Sequence, residues 1–216
     1  MKNWLWLVPG VPTAALVYLI MIVLPPKQTL GDLADWAFRL SPFVLAVVTV
    51  ALLPRWRAAP WLLVLATVVY MGFLDTGLVL RILAYGAVPP AEQDAAFQPI
   101  YQFQLLTVTF VVLFALFAYR MAGARTTAVL KAGFAAILVV ISGLNDLTFW
   151  LTYDWQNGRP SELSWASHII VFLGGPPSVT AAVIFMAVHL ALALAVLLLP
   201  LDRVAERWLA RGHVAS

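Results

Sequence analysis

Two carboxylates and an imidazole, Asp75, Asp146 and His168, stand within or beside apolar stretches of a chain that is otherwise poor in charge. A charged side chain at mid-bilayer costs about 2.5–3.5 kcal/mol even on the gentlest insertion scale, so such groups normally face a bundle interior and mark a function. Carboxylates taken out of water can divide the roles of acid and base between them, which makes Asp75 and Asp146 a candidate acid and base pair and His168 a candidate acid, base or ligand. Groups able to hold a small molecule accompany them: Arg81, Gln102, Gln104 and Asn145, with the rings of Tyr101, Phe149, Trp150, Tyr153 and Trp165. Asn145 and Phe149 stand at i, i+4, and Asp146, Trp150 and Tyr153 at i, i+4, i+7, so one helical face presents a carboxylate beside two aromatic rings. Walls formed by Tyr101, Phe149, Trp150 and Tyr153 suit a cationic intermediate. Isomerisation or cyclisation of a lipophilic substrate fits such an environment. Asp75 and Arg81 are six residues apart, a rotation of about 240°, so each needs a partner on another helix.

Other chemistries lack their residues. There is no Gly-rich phosphate loop, His-Glu-x-x-His, Gly-x-Ser-x-Gly or Cys-x-x-Cys pattern. Asp75, Asp146 and His168 are suitable metal ligands by type, but the close spacing of a metal motif is missing, and neither a metal nor a cofactor is called for. A haem bundle wants paired mid-depth histidines. Only His189 has that depth, and it lies beside Ala187, Ala191 and Ala195, a small-residue ladder suited to close packing within the bundle, with a second copy or with a partner membrane subunit.

These residues need a scaffold that keeps them out of water, and composition supplies it. Of 216 residues, 63% are hydrophobic and 11% charged, with a mean hydropathy of +0.93. Soluble domains carry about 25% charged residues. The chain is therefore expected to be an all-α, polytopic membrane bundle in contact with lipid. The net charge of +3 comes from basic residues scattered through short loops rather than gathered in a tract, which argues against nucleic acid as a partner. No cysteine is present, so disulfide and thiolate chemistry are excluded.

About 20 apolar residues are needed to cross a bilayer. Six stretches qualify, at 4–24, 34–53, 60–84, 98–119, 130–152 and 178–199, punctuated by proline, glycine or charge. The second is the weakest, and its mixed residues 30–40 read as an interfacial helix bending into the membrane at Pro42. Trp165 to Leu173 is too short to span and is closed by Gly174-Gly175-Pro176-Pro177, so a re-entrant or interfacial half-helix carrying His168 is expected before the last helix. Residues 1–200 thus form one transmembrane domain. Residues 201–216 form a tail with Arg203, Arg207 and Arg211 at i, i+4, i+8, expected to lie as an amphipathic helix on the cytoplasmic surface.

With the N-terminus inside, nine basic residues fall on the cytoplasmic side (Lys2, Arg55, Arg57, Arg120, Arg125, Lys131, Arg203, Arg207, Arg211) and four outside (Lys27, Arg39, Arg81, Arg159). The positive-inside rule then places both termini in the cytoplasm, in a multi-pass protein expected in the plasma membrane. The costly polar residues gather in the outward half. An outward pocket that binds or transports a small lipophilic molecule is the first functional expectation, an acid/base enzyme the second, and a structural subunit of a membrane complex the third. Six spans, cytoplasmic termini and an outward pocket resemble, in architecture only, the substrate-binding components of energy-coupling vitamin transporters.

Overall fold

A computed structural model describes residues 4–27, 29–156 and 158–200. The tail expected at 201–216 lies outside the described residues. Nine α-helices build the described chain: α1 Leu7–Tyr18, α2 Leu33–Leu52, α3 Ala59–Val69, α4 Thr76–Gly86, α5 Gln93–Met121, α6 Thr126–Val140, α7 Leu144–Thr152, α8 Ser167–Leu173 and α9 Val179–Leu198. The π-helical turn Leu19–Val23 extends α1, and a second, Tyr70–Asp75, joins α3 to α4. Five helical stretches are long and apolar enough to cross a membrane, and the apolar helix Leu7–Val23 is a shorter sixth. The protein is an integral membrane helical bundle.

The crossings alternate in direction, and contacts between loops identify the two ends. At one end Arg120 donates from Nε to Leu53 O at 2.9 Å and from Nη1 to Ala124 O at 2.8 Å, while Lys131 Nζ donates to Leu199 O at 2.7 Å. The described residues of the connections 24–32, 87–92 and 153–178 lie at the opposite end, which is also where α8 sits.

α2 is the central helix. Phe43, Val47 and Ala51 on α2 pack with Leu116 of α5 and with Val129 and Ile137 of α6 into the larger core cluster. Gly133 permits that approach, because a Cβ there would overlap the Val47 side chain. α9 lies along α6, whereas α3 and α4 pack against α5 and leave Trp61, Leu65, Val68 and Leu83 exposed on the bundle's flank. Apolar side chains on such a flank need no protein partner in lipid.

Two expectations about helix ends are corrected. The mixed segment before Pro42 is not a separate interfacial helix, because α2 runs unbroken from Leu33 to Leu52 with Pro42 buried inside it. Proline cannot donate to the carbonyl four residues back. Here the Ser41 hydroxyl donates to that carbonyl, Phe38 O, at 2.7 Å, so the helix continues. The fifth crossing, expected to be continuous over 130–152, is instead broken. α6 ends at Val140, Gly143 takes φ +79°, and α7 begins at Leu144. Ser142 is fully buried and supports the break, donating from Oγ to Val139 O at 2.7 Å and accepting from Leu144 N at 3.2 Å.

The expected half-helix is present as α8, stopped by Gly174 at φ +79°. Leu163, Ala166 and Ile169 are fully buried against Leu147 of α7 and Ala182 of α9. Leu163 N donates to Pro177 O at 2.9 Å and Val179 N to Ser161 O at 3.3 Å, clamping the two ends of the α8 segment together. Irregular backbone is tolerated at membrane depth where protein or a cavity covers it, and the packing of α8 and Gly143 meets that condition.

Candidate ligand cavity

A cavity of about 450 Å³ opens between α1, α2, α5, the break between α6 and α7, and α8. Its body is apolar, lined by Val17, Ile20, Phe43, Ala46, Leu105 and Leu113 among others. Its polar lining includes Tyr101, Gln102, Gln104, Asn145, Ser167 and His168, together with Lys27 and Arg39.

Backbone chemistry explains how Gln102 comes to this wall. In the π turn that ends α1, Leu24 N donates to Leu19 O at 2.9 Å, and Pro25 has no N–H to offer. The Ile20 carbonyl is thereby left without a helical donor. Gln102 Nε2 fills the gap at 2.7 Å, which leaves Gln102 Oε1 buried with no hydrogen bond among the described residues.

The break at Gly143 sets the next part of the wall. Because α7 starts afresh at Leu144, Leu144 and Asn145 face the cavity while Asp146 and Leu147 turn inward. Asp146 Oδ2 lies 3.7 Å from His168 Nε2, with the two side chains 7% and 13% exposed. Neither atom has a hydrogen-bond partner within the described residues. Asp146 occupies the first turn of α7, where the helix dipole favours a negative charge. His168 both touches Asp146 and lines the cavity, so the imidazole stands between the buried carboxylate and the open space.

The other expected site residues are placed elsewhere. Asp75 is half-buried in the π turn against α5 and, like Asp146, does not line the cavity. Arg81 is exposed, donates to Gly77 O at 2.9 Å and lies 3.9 Å over the Phe103 ring. Phe149, Tyr153 and Trp165 join Trp155 in a separate aromatic cluster, with Trp155 and Trp165 stacked at 5.5 Å. Trp150 donates to Pro160 O at 2.8 Å and packs beneath the α8 segment. None of these four aromatics is in the cavity lining. The sequence reading puts Trp150 and Tyr153 on the face of Asp146; Asp146 is buried beside His168, Trp150 packs with Leu147 and the α8 segment, and Tyr153 follows the last residue of α7 in extended backbone.

His189 is half-buried, with Nδ1 2.9 Å from Phe185 O and its ring 4.2 Å from that of Phe185. No group of three or more potential metal-ligating side chains occurs among the described residues.

Lys27, Trp36 and Arg39 are wall residues that the sequence did not single out as ligands. Their visible signal was the Asp35–Arg39 spacing of i, i+4, which also fits an ordinary surface pair. Comparison with family models, curated proteins and solved structures finds no match to this chain.

Proposed function

We propose that this is a multi-pass plasma-membrane protein, with both termini cytoplasmic, whose outward cavity binds or carries a small lipophilic molecule. The observation that carries this reading is the apolar space of about 450 Å³ with a polar end. That volume falls within the usual range of small-molecule sites, about 300–1,000 Å³, and such sites combine an apolar body with a few placed polar groups. The orientation rests on nine basic residues against four. Ala187 and Ala191 are exposed on α9 and offer a close-packing face to a second copy or a partner subunit.

A photo-crosslinking residue at Leu105, on the cavity wall, tests the reading against one at Leu65, on the lipid-facing side of α3. Position 105 should capture one discrete small molecule and position 65 a mixture of bilayer lipids. The same mixture at both positions would refute selective occupancy.

One observation favours a second reading, an acid/base enzyme acting on the lipophilic molecule. His168 touches both Asp146 and the cavity, the arrangement a proton relay needs. Asp146 would orient the imidazole and His168 would exchange a proton with the substrate.

A further inference from the structure

The cationic rim of the cavity is not accounted for by binding a lipophilic molecule alone. Lys27 and Arg39 line the cavity, and no acidic side chain does so among the described residues. Both cations lean on one carboxylate. Lys27 Nζ lies 2.6 Å from Asp35 Oδ2 and Arg39 Nε 3.0 Å from Asp35 Oδ1. Asp35 Oδ2 also accepts from Gly31 N at 3.0 Å, so the carboxylate is heavily used. Asp32 is the nearest other acid in sequence, but it is exposed, caps α2 by accepting from Asp35 N at 2.8 Å, and is absent from the lining.

Two positive charges thus share one negative charge at the wall. Arg39 uses only Nε toward Asp35, and its four Nη hydrogens have no hydrogen-bond partner among the described residues. A guanidinium with a free fork is suited to a carboxylate or phosphate, which it can grip with two parallel bonds.

The rim continues directly into the apolar body. Arg39, Phe43 and Ala46 stand at i, i+4, i+7 on α2 and all line the cavity, so one helical stripe runs from cation to hydrocarbon over about 10 Å. A molecule laid along it would meet a positive group at its head and apolar side chains along its tail.

We propose that the occupant is an anionic amphiphile, a carboxylate or phosphate monoester on an apolar chain, with its head against Lys27 and Arg39 and its tail along Phe43 and Ala46. The proposal rests on the cavity being a binding site for lipophilic molecules, and it names the head-group chemistry such a molecule would carry.

The test is native mass spectrometry of the full chain in a neutral detergent, with dodecyl phosphate, dodecanoate, dodecanol, dodecyltrimethylammonium or phosphatidylglycerol added at equal concentration. The two single-chain anions should give adducts at least tenfold more abundant than the alcohol or the cation. Lys27→Gln and Arg39→Gln should each reduce the anion adducts at least fivefold, Arg39→Lys should restore part of the loss, and Leu105→Trp should remove the adducts by filling the space. If Arg39→Gln fails to fold, Lys27→Gln still reads the head-group contact, because Lys27 lies in the connection between α1 and α2. Equal phosphatidylglycerol binding would support the proposal with a bilayer lipid as the source, and its exclusion would support a single-chain anion. Dodecanol binding as well as the anions, and still blocked by Leu105→Trp, would overturn the anionic head while leaving the cavity as a lipophile site. Adducts that are absent or insensitive to Leu105→Trp would overturn both.

Discussion

Gln102 donates its side-chain amide to the backbone carbonyl of Ile20, 82 residues earlier in the chain, at 2.7 Å. This bond joins α5 to the end of α1 at the cavity wall, and it exists because the π turn and Pro25 leave the Ile20 carbonyl without a helical donor. A defect in one helix thereby fixes the position of a polar residue on another.

Replacing Gln102 with Leu would leave a buried carbonyl unpaired, at a cost of about 1–3 kcal/mol. Thermal unfolding in detergent should show that loss for Gln102→Leu. Gln104→Leu should stay near wild type, since Gln104 is exposed and makes no hydrogen bond among the described residues. Equal behaviour of the two variants would remove the structural role assigned to Gln102.

Gly143 holds the break that aims Asn145 and Asp146. Its φ of +79° is a conformation that costs other residues about 1–2 kcal/mol, and an added Cβ would lie 2.8 Å from Ile169 Cδ1. Gly143→Ala should therefore lower the unfolding temperature, whereas Gly72→Ala, with open space around the new methyl, should not. If Gly143→Ala is neutral, the break does not depend on glycine.

Asp146 discriminates between binding and catalysis. Asn has the same shape and avoids the cost of burying charge, so Asp146→Asn should keep its unfolding temperature near wild type. A binding protein should then yield the same small molecule on extraction. An acid/base enzyme should instead yield a different form of it, separable by chromatography, because conversion would stop.

The five long apolar helical stretches, the shorter sixth and the half-helix were legible because they rest on long-range composition: apolar runs, and a Gly174 to Pro177 stop after α8. The polar end of the cavity was partly legible. Tyr101, Gln102, Gln104, Asn145 and His168 were visible as polar or aromatic residues near one end of their spans, and the structure brings them to one space. The break at Ser142-Gly143 was not legible, because a small pair inside an apolar run also fits a closely packed continuous helix. Phe149, Trp150 and Tyr153 were misplaced for another reason: the cavity takes only Leu144 and Asn145 from α7, and the three aromatics lie beyond it. Pro42 misled in the opposite sense, since the helix runs through it and the hydroxyl of its neighbour Ser41 bonds the freed carbonyl of Phe38. Lys27 and Arg39 read as topology signals because the walls that make them a rim come from α1 and α5, distant in sequence.

Occupancy of the cavity is most directly read by native mass spectrometry of the protein gently extracted from its own membrane, beside the Leu105→Trp variant. The wild-type protein should carry one discrete lipophilic mass that survives mild activation, and Leu105→Trp should fold normally yet lack it. A wild-type protein without such a mass, or one whose adducts match those of the filled variant, would contradict a ligand cavity.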